Sequence, residues 1–438
     1  MSRSAHIRAL RPSARKVALL TLVDTARGAP LQLALSRALD SVALSPEARR
    51  QATDLAYWCL RAKTRCEFIL SRVFPRFGNF SADIQNLLLA AAAALLFQEG
   101  APAYAVVNET VEDIRRLAGK GIAGAANGGL RSLLRLGEAP RQLEFYSLPG
   151  DADDFAGFCR FTSFPESLGR TLLRECGEEA ARTTMSRSFA RPVSAVRLNA
   201  CHDGFASLRA ELLEKGAEAL PGAAGKAGLV FPHGVPADVA LNELAGEGRL
   251  SLQSAGSQLA LAAVDFDRNA PVWDACCGFG GKTTALLEAG CTVSLASDTS
   301  PARLSALPRE CARLGLAAPA VMVCDASRPP LARWKGCMLL DVPCSGLGVL
   351  SRRPDIKLRE RKVEEYVRTQ KAILERALLM VPGGSDIIYM TCTVTKSENG
   401  SLVRSLCHSF DASLEQEWAT PGDLPFESMY AARIRVMQ

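Results

Sequence analysis

Through residues 14–136 apolar side chains recur every three to four positions, and the two-residue alternation of strands is missing. This pattern predicts helices over 14–27, 30–39, 46–60, 66–74, 81–97 and 105–118. Ser45 followed by Pro46 reads as an N-cap with proline at the first helical position. The strongly apolar run 87–97 is shorter than the roughly 20 residues a bilayer span needs, so it predicts a buried helix. Residues 137–190 read as a helical connector, with helices within 166–185. A strand at 194–199, a helix at 205–215 and a strand at 228–231 then suggest a small α+β module. From about residue 250 strands and helices alternate. Strands are expected at 271–274, 292–298, 320–324, 337–341 and 386–391, with a last edge strand at 429–436. The clearest helix, 362–380, carries Val363, Tyr366, Val367, Ile373, Leu374, Ala377 and Leu378 on one face and is stopped by Gly383-Gly384. The expected architecture is multidomain. It comprises an all-α domain over 1–140, a helical connector with a small α+β module over 141–250, and an α/β Rossmann-like domain over 251–438.

The stretch 271–288 opens the third of these. Val272 and Trp273 lead into Asp274, then Cys276, Cys277, Gly278, Phe279, Gly280, Gly281 and Lys282, and then a helix. A strand, a glycine-rich turn and a helix N-terminus let a ligand approach the backbone closely. A P-loop would need glycine where Cys276 stands, and a dinucleotide fingerprint would need it at Thr283. S-adenosyl-L-methionine fits better. Asp298 ends the second strand and is placed for ribose hydroxyls. Asp325 follows the third strand and can face the adenine edge, and Asp341 ends the fourth. Acids at successive strand ends face the crevice where open α/β sheets bind ligands. Each aspartate taken alone can instead cap a helix.

Charge adds a second theme. Residues 1–140 hold 19 Lys+Arg against 11 Asp+Glu, a surplus of eight, whereas the whole chain carries +6. A basic helical part beside a slightly acidic remainder suggests a nucleic-acid-facing module, though a solvated helix surface has the same composition. The 14 cysteines form no C-x-x-C pair, and the four histidines (His6, His202, His233, His408) show no metal-ligand spacing, so no metal is expected. The start of the chain lacks an apolar signal-peptide core, which suggests a cytoplasmic protein with no membrane attachment.

Two cysteines stand apart from the rest. Cys344 lies just past the fourth strand, in Asp341-Val342-Pro343-Cys344-Ser345-Gly346, and Cys392 just past the fifth, in Met390-Thr391-Cys392-Thr393. Both sit on the rim of the proposed cofactor site. A thiolate there can add to C6 of a cytosine and turn C5 into an enamine able to attack a sulfonium methyl group. A second cysteine can assist release.

Together, the glycine loop, the acidic strand ends, the stretch from Asp341 through Lys357 and the segment around Cys392 resemble the RsmB/Sun family of RNA cytosine-5 methyltransferases. The resemblance covers roughly 250–438. Tyr104, Ala105, Val106, Val107, Asn108 and Glu109, with Val111, Arg115 and the segment 127–135, resemble the NusB-type RNA-binding helical domain. The resemblance implies Cys392 as nucleophile and Cys344 as the group assisting release. It implies a cofactor site made of Cys276, Cys277, Gly278, Phe279, Gly280, Gly281, Lys282, Asp298, Asp325 and Asp341, with Asp341 also holding the cytosine edge. The implied substrate is a single-stranded or bulged cytosine of 16S ribosomal RNA, met by a monomer. Arg352, Arg353 and Lys357 are candidate phosphate contacts, with a solvated loop as the alternative.

The family loop usually reads Ala-Ala-Pro-Gly-Gly where this chain has Cys277-Gly278-Phe279-Gly280-Gly281. Val342, Thr393 and Gln253-Ser254 also depart from the pattern. The Phe279 ring must therefore fit beside the cofactor or turn outward. Three other readings stay open: a catalytically weak RNA-binding ribosome-assembly factor, a methyltransferase acting on tRNA, and a DNA enzyme using Cys344 as nucleophile.

Overall fold

The computed structural model describes Ile7, residues 10–359 and residues 362–437; the start of the chain, including His6, lies outside the described residues. The chain divides into two compact units. One contains the chain up to Arg174, Ala181–Ala190 and residues 350–359, and the other contains Glu175–Ala180, Arg191–Val349 and residues 362–437.

The first unit is helical: α1 (Ala14–Ala26), α2 (Leu31–Ser41), α3 (Pro46–Arg61), α4 (Lys63–Val73), α5 (Ala82–Phe97), α6 (Ala103–Arg135), α7 (Asp154–Phe161), most of α8 (Glu166–Cys176) and α9 (Glu178–Phe189). Ser45 caps α3 by accepting the Ala48 N–H at 3.2 Å. Along α5, Ile84 and residues 87–94 are all buried, as expected for a helix apolar on nearly every side. Helix α6 runs on past the expected end at residue 118, with a break at Gly119, whose φ of 82° suits glycine. Arg65 is buried inside this unit. Its guanidinium donates to Tyr146 Oη at 2.8 Å, Phe161 O at 3.0 Å and Pro140 O at 2.5 Å. It also faces the rings of Phe97, Phe161 and Phe189.

Residues 350–359 are held by this helical unit, and this changes the reading of their basic residues. Lys357 is 3% exposed and donates to the carbonyls of Arg61 and Ser163, both at 3.0 Å. It is therefore a buried anchor and is not placed to hold phosphates, because its ammonium is spent on those carbonyls. Asp355, 1% exposed, pairs with Arg359 at 2.7 Å and Arg353 at 3.3 Å. Burial, then the nearby Arg61 guanidinium, lowers the Lys357 pKa from its ordinary 10.5 to about 7. Between those values the unfolded chain binds the extra proton, so this lysine makes stability rise with pH. Urea unfolding at pH 7 and pH 9.5 is expected to show wild type gaining stability relative to Lys357→Met at the higher pH. An equal difference at both would refute the assignment.

In the second unit, β1 (Ser194–Leu198), β2 (Glu218–Ala219), β3 (Gly228–Phe231) and β4 (Leu250–Leu252) form an antiparallel sheet in the order β2-β3-β1-β4. Helix α10 (Phe205–Glu214) packs Leu208 and Leu212 with Val196, Leu198, Leu229 and Phe231. The remaining helices are α11 (Leu241–Gly246), α12 (Ala255–Ala262), α13 (Gly281–Glu288), α14 (Pro301–Leu304), α15 (Leu307–Arg313), α16 (Val363–Met380) and α17 (Gly400–Ser409).

The large sheet joins β5 (Val272–Asp274), β6 (Val293–Asp298), β7 (Ala320–Val323), β8 (Cys337–Asp341), β9 (Asp386–Thr391), β10 (Ala412–Ala419) and β11 (Tyr430–Val436) in the order β10-β11-β9-β8-β5-β6-β7. Neighbours from β7 through β9 pair in parallel, and β11 is antiparallel to both β9 and β10. Counted from β5, this is 3-2-1-4-5-7-6, with one reversed strand. The tail strand is thus not the edge strand it was expected to be. The edge is β10, a strand the apolar pattern did not reveal because Glu415 and Glu417 alternate with half-buried residues along it. Strand order reverses at β5, so the loops after β5 and β8 diverge and open a crevice at the C-terminal ends of the strands.

Candidate active site

The loop leaving β5 turns at two glycines in the left-handed region, Gly278 (φ 57°) and Gly280 (φ 85°). At Gly280 an added Cβ would lie 2.4 Å from Leu307 Cδ1, whereas at Gly278 it would meet nothing within 4 Å. The first glycine therefore faces open space and the second packs against the domain. The Cys277 N–H donates to Ser297 O at 2.9 Å, and the Ala275 N–H to Leu339 O at 2.9 Å, which pins the loop between strands. Burial, then the carboxylate of Asp274, raises the pKa of both Cys276 and Cys277, so these thiols stay neutral. The Phe279 ring is 66% exposed: it turns outward.

The three expected acids differ in what they do. Asp298, 6% exposed, accepts the N–H of Gly278 at 3.0 Å and of Ser300 at 2.8 Å, and pairs with Arg303 at 3.1 Å. It ties the glycine loop to the end of β6. Asp325 is exposed and accepts both the N–H and the hydroxyl of Ser327, at 2.8 and 2.7 Å, so one of its oxygens closes a local turn. Asp341 accepts from Lys282 Nζ at 2.6 Å. Burial alone would lower the Lys282 pKa, but the Asp341 carboxylate, the bond to it and nearby Cys392 outweigh this and raise it. Lys282 therefore stays cationic, within electrostatic reach of the Cys392 sulfur.

Strands β8 and β9 are neighbours, and the loops that follow them bring two sulfurs together. Cys344 Sγ lies 3.1 Å from Cys392 Sγ, and the Cys392 N–H donates to Cys344 Sγ at 3.3 Å. The Gly348 N–H donates to Cys392 O at 2.9 Å, a second tie between the loops. The contact with Cys392, then burial, holds the Cys344 thiol well above the ordinary thiol range. Two sulfurs this close cannot both be anions.

Three supporting residues escaped the sequence reading. Asp274 is fully buried, and Thr283 donates to its Oδ2 at 2.7 Å. Burial raises its pKa to about 7. Arg197, on β1, binds both oxygens of Glu288 at 2.7 and 3.1 Å, Thr284 Oγ1 at 2.9 Å, Gly281 O at 2.9 Å and Gln253 Oε1, which locks the small sheet to α13 from its first residue to its last. Glu398, 0% exposed, lies six residues after Cys392 and joins the two cysteine loops. Only its closeness to Cys392 in the chain hinted at a role.

Residues 259–427 match the family described as 16S rRNA methyltransferase RsmB/F, and residues 12–135 match the NusB family. The chain is thus similar to RsmB/F methyltransferases in its C-terminal part and to NusB proteins in its N-terminal part. It is 27% identical to a probable ribosomal RNA small subunit methyltransferase B of Synechocystis, over 93% of this chain and 92% of that one. It is 28% identical to the ribosomal RNA small subunit methyltransferase B of Pseudomonas putida, over 90% and 89%. The solved structure of PH0851 superposes with a TM-score of 0.74 at 18% identity, over 98% of this chain and 99% of that one. NSun6 from Pyrococcus horikoshii, solved with SFG, superposes with a TM-score of 0.55 at 18% identity, over 63% and 99%. At these identities the structural likeness speaks to fold.

The residues present fit S-adenosylmethionine as a methyl donor. Gly278 leaves open space in front of the loop, and Asp298, Asp325 and Asp341 stand at or just past the C-terminal ends of three parallel strands. Among the described residues no three His, Cys, Asp or Glu side chains group as metal ligands, and no helix is long and apolar enough to cross a membrane.

Proposed function

We propose that this protein methylates C5 of a cytosine in 16S ribosomal RNA through a covalent adduct between Cys392 and C6. The observation that carries the reading is the pair of sulfurs 3.1 Å apart at the ends of β8 and β9, beside the Lys282–Asp341 pair. Cys344, whose thiol resists ionisation, donates its proton toward Cys392 and leaves Cys392 as the nucleophilic sulfur. Asp341, 32% exposed, offers an acceptor to the cytosine edge.

The bound cofactor supplies an electrophilic methyl group. Attack of Cys392 on C6 makes C5 an enamine carbon, which takes the methyl. The C5 proton then passes to solvent, the C5–C6 double bond reforms and the Cys392 sulfur departs. Cys344 hands its proton to that sulfur, and a proton shift across the 3.1 Å contact resets the pair. The net change is transfer of one methyl group and release of one proton.

The fine division of labour follows the expected domains. The basic residues 1–140 gather RNA, 141–250 connect, and 251–438 carry the chemistry, in a cytoplasmic monomer. The test is bisulfite sequencing after incubating the protein and S-adenosylmethionine with unmethylated 16S RNA, free or in small subunits, and with tRNA and DNA. One protected cytosine in 16S RNA is expected. Protection only in tRNA or DNA, or nowhere, would overturn the assignment.

A further inference from the structure

We propose that Glu398 is the positioning residue that sets the distance between the two reactive sulfurs. Glu398 touches neither sulfur. Its Oε1 accepts the Ser345 N–H at 2.8 Å and Gln370 Nε2 at 2.9 Å. Its Oε2 accepts the Ser345 and Thr395 hydroxyls, both at 2.6 Å. Among the described residues no cation pairs with it, so a fully buried carboxylate is held by four neutral donors alone. Burying a charge this way is costly, and the fold tolerates it only because every strong acceptor site is filled.

The partners show what the arrangement is for. Ser345 follows Cys344 directly, and Gln370 also binds the carbonyl of Pro343, directly before it, at 3.0 Å. Both neighbours of Cys344 are thus tied to one carboxylate. On the other side, Thr395 and Glu398 itself belong to the loop that leaves Cys392, and Ser345 Oγ meets Thr393 Oγ1 at 2.8 Å. Tyr389 Oη donates to Glu398 O at 2.7 Å, and Asn399 binds Thr391 Oγ1 at 2.6 Å and Thr393 O at 3.0 Å, which fixes this loop onto β9. The carboxylate is the common point of two loops that share no strand. A glutamine here keeps the shape, and the Ser345 and Thr395 hydroxyls can turn to accept from its NH2. An alanine leaves four donors unmet.

The inference rests on the proposed roles of the two cysteines only for its consequence in turnover; the distance itself is measurable without methyl transfer. Diamide, a diazene oxidant, takes two electrons and two protons from a close thiol pair, becoming the hydrazine as the disulfide forms. The rate of Cys344–Cys392 linkage, read by peptide mass spectrometry on the full chain across a range of pH so that thiolate content is separated from geometry, reports their separation. It is expected to fall in the order wild type, Glu398→Gln, Glu398→Ala, with the alanine variant roughly 10- to 100-fold slower in both linkage and kcat, since a misplacement of about 1 Å can cost that much. KM for RNA and calorimetric binding of S-adenosylmethionine are expected to stay at wild-type values. If Glu398→Ala does not fold, Glu398→Gln carries the test. Wild-type linkage rates in a folded variant would overturn the proposal. A wild-type protein that links rapidly but methylates no RNA would overturn the functional reading and leave this one standing.

Discussion

Replacing Cys392 with alanine is expected to abolish methyl transfer, by roughly 10⁴-fold or more in kcat, the scale seen when an enzyme's nucleophile is removed. Binding of S-adenosylmethionine should be unchanged, since the glycine loop and Asp298 are built on β5 and β6 and their bonds do not involve Cys392. The neighbouring sulfur should not rescue the variant. The Cys344 thiol is held protonated by burial once its partner's contact is lost, and a protonated thiol does not add to C6. Serine at 392 should fail likewise, because the Cys344 thiol beside it is no base able to activate a hydroxyl. The measurement is transfer of labelled methyl groups to RNA, paired with calorimetry. Full turnover in Cys392→Ala together with loss in Cys344→Ala would reverse the roles and place the protein with enzymes that use the cysteine after Pro343.

How far the sequence carried this reading depended on where each residue's information lies. Buried parallel strands such as β9, Asp-Ile-Ile-Tyr-Met-Thr, are apolar throughout and declare themselves. So did the strand-end positions of Cys344, Cys392 and the acids, because a strand end is a local property. Strand β10 and the inner place of β11 did not, since they follow from which strands meet. Contacts across long separations were equally hidden. Lys357 sits in a run of basic residues that looks solvated, yet its partners are Arg61 and Ser163, far away in the chain. Arg197 reads as one charge in a short strand, and only the fold delivers it to Glu288. Lys282 lies in the expected cofactor loop, and only the fold shows its Nζ reaching Asp341. The turn glycines were legible as glycines, but which of them faces open space was not.

Replacing Cys344 with alanine is expected to produce the opposite failure, a chain that starts the reaction and cannot finish it. Cys392 keeps its backbone placement, because the Gly348 N–H still holds its carbonyl and the Glu398 bonds run through Ser345, not through the Cys344 side chain. Addition to C6 and capture of the methyl therefore remain available. What is lost is the proton donor 3.1 Å from the departing sulfur. Release then depends on water reaching a half-buried thioether, and the adduct outlives the methylation step. Labelled RNA should run with the protein on a denaturing gel, bound through Cys392 in a one-to-one complex, while multiple-turnover methylation falls. Cys344→Ala combined with Cys392→Ala should give no such band. This double variant separates trapping through Cys392 from any other crosslink. A Cys344→Ala protein that turns over normally and traps no RNA would leave the 3.1 Å contact as packing, and release would then need a donor elsewhere in the site.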